Sequence, residues 1–464
     1  MSRRNMLLLI TTALGSYACF VRAEQNPYAR YVAGGYSIID RWALNEIPDQ
    51  DLFEGAMRGM VDVLQKQGDE HSLFIDEEQR DLFRVELTQE FGGVGVRIRQ
   101  LGDPPQLTIV GPPEPGTPAF SADIRSGDRI VALDGKPTAE MDMLDVLKLM
   151  RGTTGQEVVL SIVHQGEATV EDITLVRAII TVESIRGDLR NKDGTWIFRL
   201  ESDPRIGYLR ITSFGDKTEA ELARALASLC GPAAEDSIAA LILDVRDNYG
   251  GALDAAVGIS DLFLRAGLPI VTTRGRNEVT RDRFVSTGSG GYVDQPLAIL
   301  VNQNSASAAE ILAACLQDYH RGVVIGQRSY GKGTVQRLMP IESGRSLLKL
   351  TSATYWRPSG RNIHRMKGDT EEDLWGVSPN EGFEVVLDDQ QYLQWRNYRR
   401  RRDLLGKDGN GPLAEQLDKE DGKPPESFTD RAFEMAVSYL QATLGPLTPP
   451  AETNDQQAAQ PPKS

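Results

Sequence analysis

From residue 206 onward, short apolar runs recur between longer helical stretches, and few folds can absorb that rhythm. Residues 239–245 read Ala-Ala-Leu-Ile-Leu-Asp-Val and residues 297–301 read Leu-Ala-Ile-Leu-Val. Short strands alternating with helical stretches imply a layer in which helices cover a sheet. Residues 206–211 supply a further strand, and the stretches at 219–229, 252–264 and 308–316 supply covering helices. The pattern predicts an α/β core whose functional groups sit at its strand ends.

The residues before this core follow two other rhythms. Over residues 27–82, Leu52, Ala56, Met60 and Val63 fall at three- and four-residue spacing and predict helix. From Phe91 the chain changes to short strands and turns. Gly92, Gly93, Val94 and Gly95 form a glycine-rich segment, residues 106–110 a strand, and Asp134-Gly135 a tight turn. Leu144, Leu147 and Met150 make one face of a predicted helix, and residues 158–163 close the region with a strand. Past Val386 the chain is charged, with an amphipathic helix at 431–440 and a Pro/Gln/Ala tail from 446 that is expected to be disordered.

Charge excludes one class of function. The 464 residues carry a net charge of -15, and phosphate recognition needs clustered Lys and Arg, so no nucleic-acid partner is expected. The run Arg399 to Arg402 reads as a solvated helix face. Residues 1–23 have the form of an export signal, with Arg3 and Arg4 ahead of an apolar stretch and Val21-Arg22-Ala23 as the cleavage site. That places the mature chain in the periplasm or outside the cell. Cys230 and Cys315 sit among Ala and Leu and read as small buried hydrophobes, while four scattered histidines offer no metal spacing. Neither metal nor cofactor is called for.

Two segments carry chemistry. In Asn304-Ser305-Ala306-Ser307-Ala308-Ala309-Glu310, Ser307 can cap the following helix, with Glu310 completing a capping box. A serine at a helix N-terminus is equally well placed for acyl transfer, since the dipole and free N–H groups favour developing negative charge. The second segment, Ser329-Tyr330-Gly331-Lys332-Gly333-Thr334-Val335-Gln336, offers a base. A lysine can serve if burial pushes its pKa well below the free value of about 10.4. Gly326, Gly331 and Lys332 also nearly spell a phosphate-binding loop. Gly333 stands where that loop needs Ser or Thr, however, and a strand follows where it needs a helix.

Together these segments resemble the carboxyl-terminal processing, or tail-specific, proteases of peptidase family S41, in which the serine of an SASAxEI-like motif precedes the lysine of GKGxVQ by twenty-five positions, as Ser307 precedes Lys332. Further matching pieces are residues 244–251 (Asp-Val-Arg-Asp-Asn-Tyr-Gly-Gly), 347–359, 376–379 and Glu70-His71-Ser72, so the resemblance spans most of residues 50–385. It implies a crotonase-like α/β core at 181–395, an inserted β-rich PDZ domain at 83–180, a helical N-terminal segment at 24–82 and a charged C-terminal region at 396–445. The Ser-Gly-Asp-Arg-Ile-Val-Ala-Leu-Asp-Gly run, residues 126–135, is the most PDZ-like part.

By position, the resemblance makes Ser307 the nucleophile, Lys332 the general base and Gln336 the residue that orients the lysine. The oxyanion hole maps to the backbone amides of Ala308 and of Gly250 or Gly251. Gly92 to Gly95 would receive a substrate carboxylate, Leu144, Leu147 and Met150 would line the groove, and Arg151 would couple the PDZ domain to the core. Tyr249 stands where the family usually has Pro, which leaves the oxyanion loop less rigid, and Ala309 replaces a common Ser. The implied function is serine endopeptidase action on exported proteins with apolar C-terminal tails. An inactive PDZ-bearing adaptor is the alternative from another class, and a Ser/His hydrolase using His320 or His364 lacks an evident orienting acid. Self-association and membrane proximity through the N-terminal segment stay open.

Overall fold

The computed structural model describes residues 26–191, 193–230, 237–405, 412–422 and 428–446. The export-signal reading of residues 1–23, and the tail beyond Pro446, lie outside them. The chain divides into two compact units, one of residues 1–80 with 336–351 and one of residues 81–335 with 352–464.

In the first unit, helices Pro27–Trp42 and Asp49–Lys66 precede the strand Leu73–Ile75, which pairs antiparallel with residues 347–349. The strand interrupts the continuous helical reading of 27–82. The predicted face is also out of phase: Val61 is the buried position of the second helix, while Met60 and Val63 are exposed.

The core of the second unit explains the apolar runs. Strands β1 (Ile206–Ile211), β2 (Ala240–Asp244), β3 (Leu297–Val301) and β4 (Val323–Gly326) lie side by side and parallel, with Ile185–Arg186 antiparallel at the β1 edge. Alternate side chains point to opposite faces. Leu241, Leu243, Leu297 and Ile299 pack toward helices α1 (Thr218–Leu229), α2 (Leu253–Asp261) and α3 (Ala308–Asp318). Ala240, Ile242, Ala298 and Leu300 pack instead toward a C-terminal helix, Arg431–Leu444, through Ala436, Val437 and Leu440. The sheet is thus buried on both faces. Before that last helix come α4 (Asp389–Leu405) and the helix Pro412–Asp421.

The PDZ-like region has its own sheet, ordered Ile98–Leu101, Gln106–Ile109, Arg129–Leu133, Glu157–Val163 and Val170–Val176, around Ile109, Leu133, Val146 and Leu160. Asp134 and Gly135 both have positive φ, at 47° and 74°, as the predicted tight turn requires.

Two readings need correction. Arg399 is buried, pairing with Asp188 and with Asp403, and Arg402 also pairs with Asp188, so the arginine run is largely an internal ion-pair network rather than a solvated face. Arg210 and Arg186 share Asp403 with it, and these arginines hold the Asp403 carboxyl far below its usual range against the opposing effect of burial. Cys315 is buried as expected, but Cys230, at the end of α1, is exposed.

Candidate active site

The site forms where the loops after β2 and β3 meet, at the carboxyl ends of parallel strands. Ser307 opens α3 with φ 56° and ψ -114°. A non-glycine residue in that region is strained by roughly 1–3 kcal/mol and is held there by its surroundings. One surrounding group is Glu310, whose carboxylate accepts the Ser307 N–H at 2.8 Å, the half of the capping box that the sequence predicts.

The same buried carboxylate reaches further than a capping box. Its Oε2 also accepts the Lys332 N–H at 2.8 Å, while Oε1 accepts the Gly331 N–H at 2.7 Å and the Ser329 hydroxyl at 2.6 Å. The backbone nitrogens of Ser307 and Lys332 therefore lie no further apart than twice 2.8 Å. Burial pushes the Glu310 carboxyl above its usual range, and the four donors oppose that push. The lysine loop is fastened from its other side as well. The Ser329 hydroxyl accepts the Val377 N–H, and a Cβ on Gly333 would meet the His364 nitrogen at 2.4 Å.

The glycine pair is equally constrained. Gly250 has φ 99°, and a Cβ there would stand 2.7 Å from the Ser307 Cβ and 3.0 Å from the Ala308 nitrogen. Gly251 has φ 146° and bridges Phe214, whose carbonyl a Cβ would strike at 2.1 Å. Neither position admits a side chain. The two amides differ in use: Gly250 N–H donates to Asn248 Oδ1 at 2.8 Å. In the bridge, the Phe214 N–H donates to Gly250 and the Ala252 N–H to Phe214, so the Gly251 N–H faces away from Phe214. The Ala308 N–H, at the first helical position, has no partner within its helix.

Asn248, given no role of its own in the sequence reading, supplies rigidity to the loop where proline is missing. Its buried side chain donates to the Ile211 carbonyl at 2.7 Å and accepts from Gly250, and its own carbonyl accepts the Ala306 N–H. The Tyr249 side chain meanwhile is 72% exposed, so the loop is fixed without it. Tyr355 is a second residue the sequence reading missed. Burial pushes its phenol up, opposed by a hydrogen bond with the Ser307 side chain.

Gln336 lies in the other unit, with its amide 3.4 Å from the Thr351 hydroxyl, which in turn donates to Asp69. His320 is exposed past the end of α3, and the His364 ring faces the Gly331 carbonyl at 3.3 Å. Among the described residues no cluster of His, Cys, Asp or Glu has the makings of a metal site.

The predicted tail-binding residues are less uniform than their spacing suggests. Gly92 and Gly93 belong to the strand Glu90–Gly93, paired with Ala178–Thr181, rather than to an open loop. Val94 is buried in the PDZ core, and the Val94 and Gly95 carbonyls accept from Ala119 and Glu114. On the helix Met143–Met150, Met150 also belongs to that core, whereas Leu144 is 58% exposed and Leu147 half-buried. Helical spacing groups Met150 with a face that its burial separates from Leu144. The Arg151 guanidinium lies over the Phe91 ring at 4.7 Å.

Comparison with known proteins gives this geometry a context. Residues 205–380 match Peptidase family S41 and residues 109–163 match a PDZ domain. The chain is 36% identical over 344 residues to the carboxy-terminal-processing protease of Bartonella bacilliformis, covering 73% of this chain and 74% of that one. It is 31% identical over 310 residues to the carboxyl-terminal-processing protease of Synechocystis sp. and 32% identical over 317 to the carboxy-terminal processing protease CtpA of Bacillus subtilis. Those matches cover 67% and 68% of this chain, and 66% and 62% of the two relatives.

Proposed function

Because the chain belongs to the carboxyl-terminal processing proteases of peptidase family S41 and carries a PDZ domain, we propose that it is a serine endopeptidase cutting exported proteins near their C-termini through Ser307 and Lys332. The observation that carries this reading is the Glu310 carboxylate holding the backbones of both residues at once.

In the proposed reaction, neutral Lys332 takes the Ser307 hydroxyl proton as the oxygen attacks the scissile carbonyl. Negative charge then develops on the carbonyl oxygen, and the Ala308 and Gly251 amides receive it. Gly251 is the better donor of the glycine pair because the Gly250 amide is already engaged by Asn248. Gly250 instead allows the loop its close approach to Ser307. Lys332 returns the proton to the leaving amine; water, deprotonated by the same lysine, then attacks the acyl carbon, and the lysine passes that proton to the departing Ser307 oxygen, restoring hydroxyl and neutral amine. With the segment 1–23 as an export signal, this chemistry runs outside the cytoplasm. Among the described residues no helix is long and apolar enough to cross a membrane.

The PDZ domain would hold substrate tails by their free carboxylate, with Leu144 and Leu147 as exposed apolar groups beside it. One experiment tests both parts: an unfolded protein ending in apolar residues, with a free or an amidated C-terminus, is given to the wild type and to Ser307→Ala. The wild type should cleave, and Ser307→Ala should bind without cleaving. On that inactive form the amidated tail should bind at least tenfold more weakly, or about 1.4 kcal/mol. Equal cleavage by both proteins would end the serine reading. Equal dissociation constants would end the tail reading alone.

A further inference from the structure

The C-terminal helix α4 has no part in the chemistry described so far, yet one of its side chains reaches both catalytic loops. Tyr392 places its hydroxyl 3.0 and 3.1 Å from the two carboxylate oxygens of Asp247. The same hydroxyl accepts a hydrogen bond from Asn304 Nδ2 at 2.7 Å. Asp247 lies three residues before Gly250, in the loop after β2, and Asn304 lies three residues before Ser307, in the loop after β3.

The two loops are cross-linked at this point. Asp247 Oδ1 accepts from Asn304 Nδ2 at 2.9 Å and from Asn302 Nδ2 at 2.8 Å, and the Asp247 N–H donates to Asn302 Oδ1 at 3.0 Å. Asp247 is held at φ 54°, a conformation a non-glycine residue adopts only when its surroundings impose it. Three side-chain donors, from Tyr392, Asn302 and Asn304, converge on that one carboxylate, and only Tyr392 comes from outside the two loops. The tyrosine is itself seated by its neighbours. Its ring stacks on Trp395, whose Nε1 donates to Asp430 at 3.0 Å, and Trp395 lies under the Arg246 guanidinium at 4.7 Å. Arg246 pairs with Asp430 and with Asp244 at the end of β2. The phenol stays a donor at neutral pH, since burial and then the Asp247 charge push it up to about 12.

We propose that Tyr392 is a positioning residue: its hydroxyl, acting through Asp247 and Asn304, fixes the spacing between the Gly250–Gly251 loop and Ser307, and so the geometry of the oxyanion hole. The inference rests on the Ser307 endopeptidase reading. It makes α4 part of the active-site framework, and it separates two tasks that a merely structural helix would not separate. Substrate capture by the PDZ domain is untouched, while stabilisation of the developing oxyanion is weakened when the tie is cut.

The test is Tyr392→Phe, which deletes one oxygen and keeps the ring against Trp395. Relaxing the alignment of reacting groups should lower kcat by about tenfold or more with KM within about twofold. A peptide boronate, which places an oxyanion-like group on the serine, should lose affinity by a factor similar to the loss in kcat/KM. Asp247→Asn should produce a loss of the same kind, and the double variant should be no worse than the poorer single one, since both cut the same tie.

A Tyr392→Phe enzyme with wild-type kcat overturns the proposal, as does a lowered kcat with unchanged boronate affinity. Ser307→Ala, run alongside, keeps the two levels apart. If it is inactive while Tyr392→Phe is fully active, only the present inference falls. If it cleaves like the wild type, the serine reading falls and takes this inference with it.

Discussion

Lys332→Ala is expected to lower kcat/KM by on the order of 10⁴-fold while leaving the fold intact, because a serine hydroxyl without a base is a poor nucleophile at neutral pH. One fastening of the loop survives this substitution. The contact that fastens the lysine loop to Glu310 is made by the backbone N–H of Lys332, which alanine retains. Thermal unfolding should therefore move little, and substrate capture by the PDZ domain should be unchanged. Lys332→Arg should be as inactive as the alanine form, since a guanidinium stays protonated and cannot accept the serine proton. Measured turnover in either variant above a small fraction of wild type would remove Lys332 from the role of base.

The second large effect is expected at Glu310. Alanine there strips acceptors from three backbone amides and one hydroxyl that are enclosed around it, and each unsatisfied buried donor costs about 1–3 kcal/mol. Glu310→Ala should accordingly lose most activity, on the order of 10³-fold, and should melt several degrees below the wild type. Glu310→Gln is the more discriminating variant. Its NH₂ can face Ser329, whose hydroxyl is able to accept, and its oxygen can still hold the Ser307 and Lys332 amides, so only the bond from Gly331 is lost. The expected drop in kcat is then about ten- to a hundredfold.

The pH dependence follows from the raised Glu310 carboxyl. The folded protein binds this proton more tightly than the unfolded chain, so the stabilising linkage is complete below the unfolded pKa and is lost as pH rises through the folded one. Protonation at low pH also turns an acceptor into a donor, so the same fall in pH that favours the fold disrupts the loop. The glutamine variant should lack this limb in both melting temperature and rate. A Glu310→Gln enzyme with wild-type kcat and an unchanged pH profile would show that the carboxylate is only a helix cap.

What could be read from the chain, and what could not, divides along a physical line. The bounds of strands β1 and β3 were legible to the residue because each apolar run ends in polar or turn residues, Asp203-Pro204 before β1 and Asn302 after β3. Ser307 and Lys332 were singled out by their local motifs and their separation, and the Glu310 contacts to both backbones are what the fold adds to that proposal. Contacts between distant segments left no such trace. Glu310 was visible as a capping residue, since Ser307 is three positions away, but its three other donors come from residues 329–332. Arg399 looked solvated because its partner Asp188 stands 211 positions earlier. The second N-terminal helix was misphased by a residue or two because Met60, Val61 and Val63 are all apolar, so periodicity could not choose between faces. Asn248 was visible only as one letter of the 244–251 match and Tyr392 only as part of the charged stretch past Val386, and the folded loops alone give them work.

The most direct test of the Ser307 and Lys332 assignment is covalent. A fluorophosphonate reacts with a serine only when a base and an oxyanion site activate it, so the mature protein can be treated with one, weighed intact and mapped by peptide mass. The assignment predicts a single adduct per chain, on Ser307, formed far more slowly in Lys332→Ala. An adduct on another residue, or substrate cleavage by a protein whose Ser307 stays unmodified at saturating reagent, would contradict it.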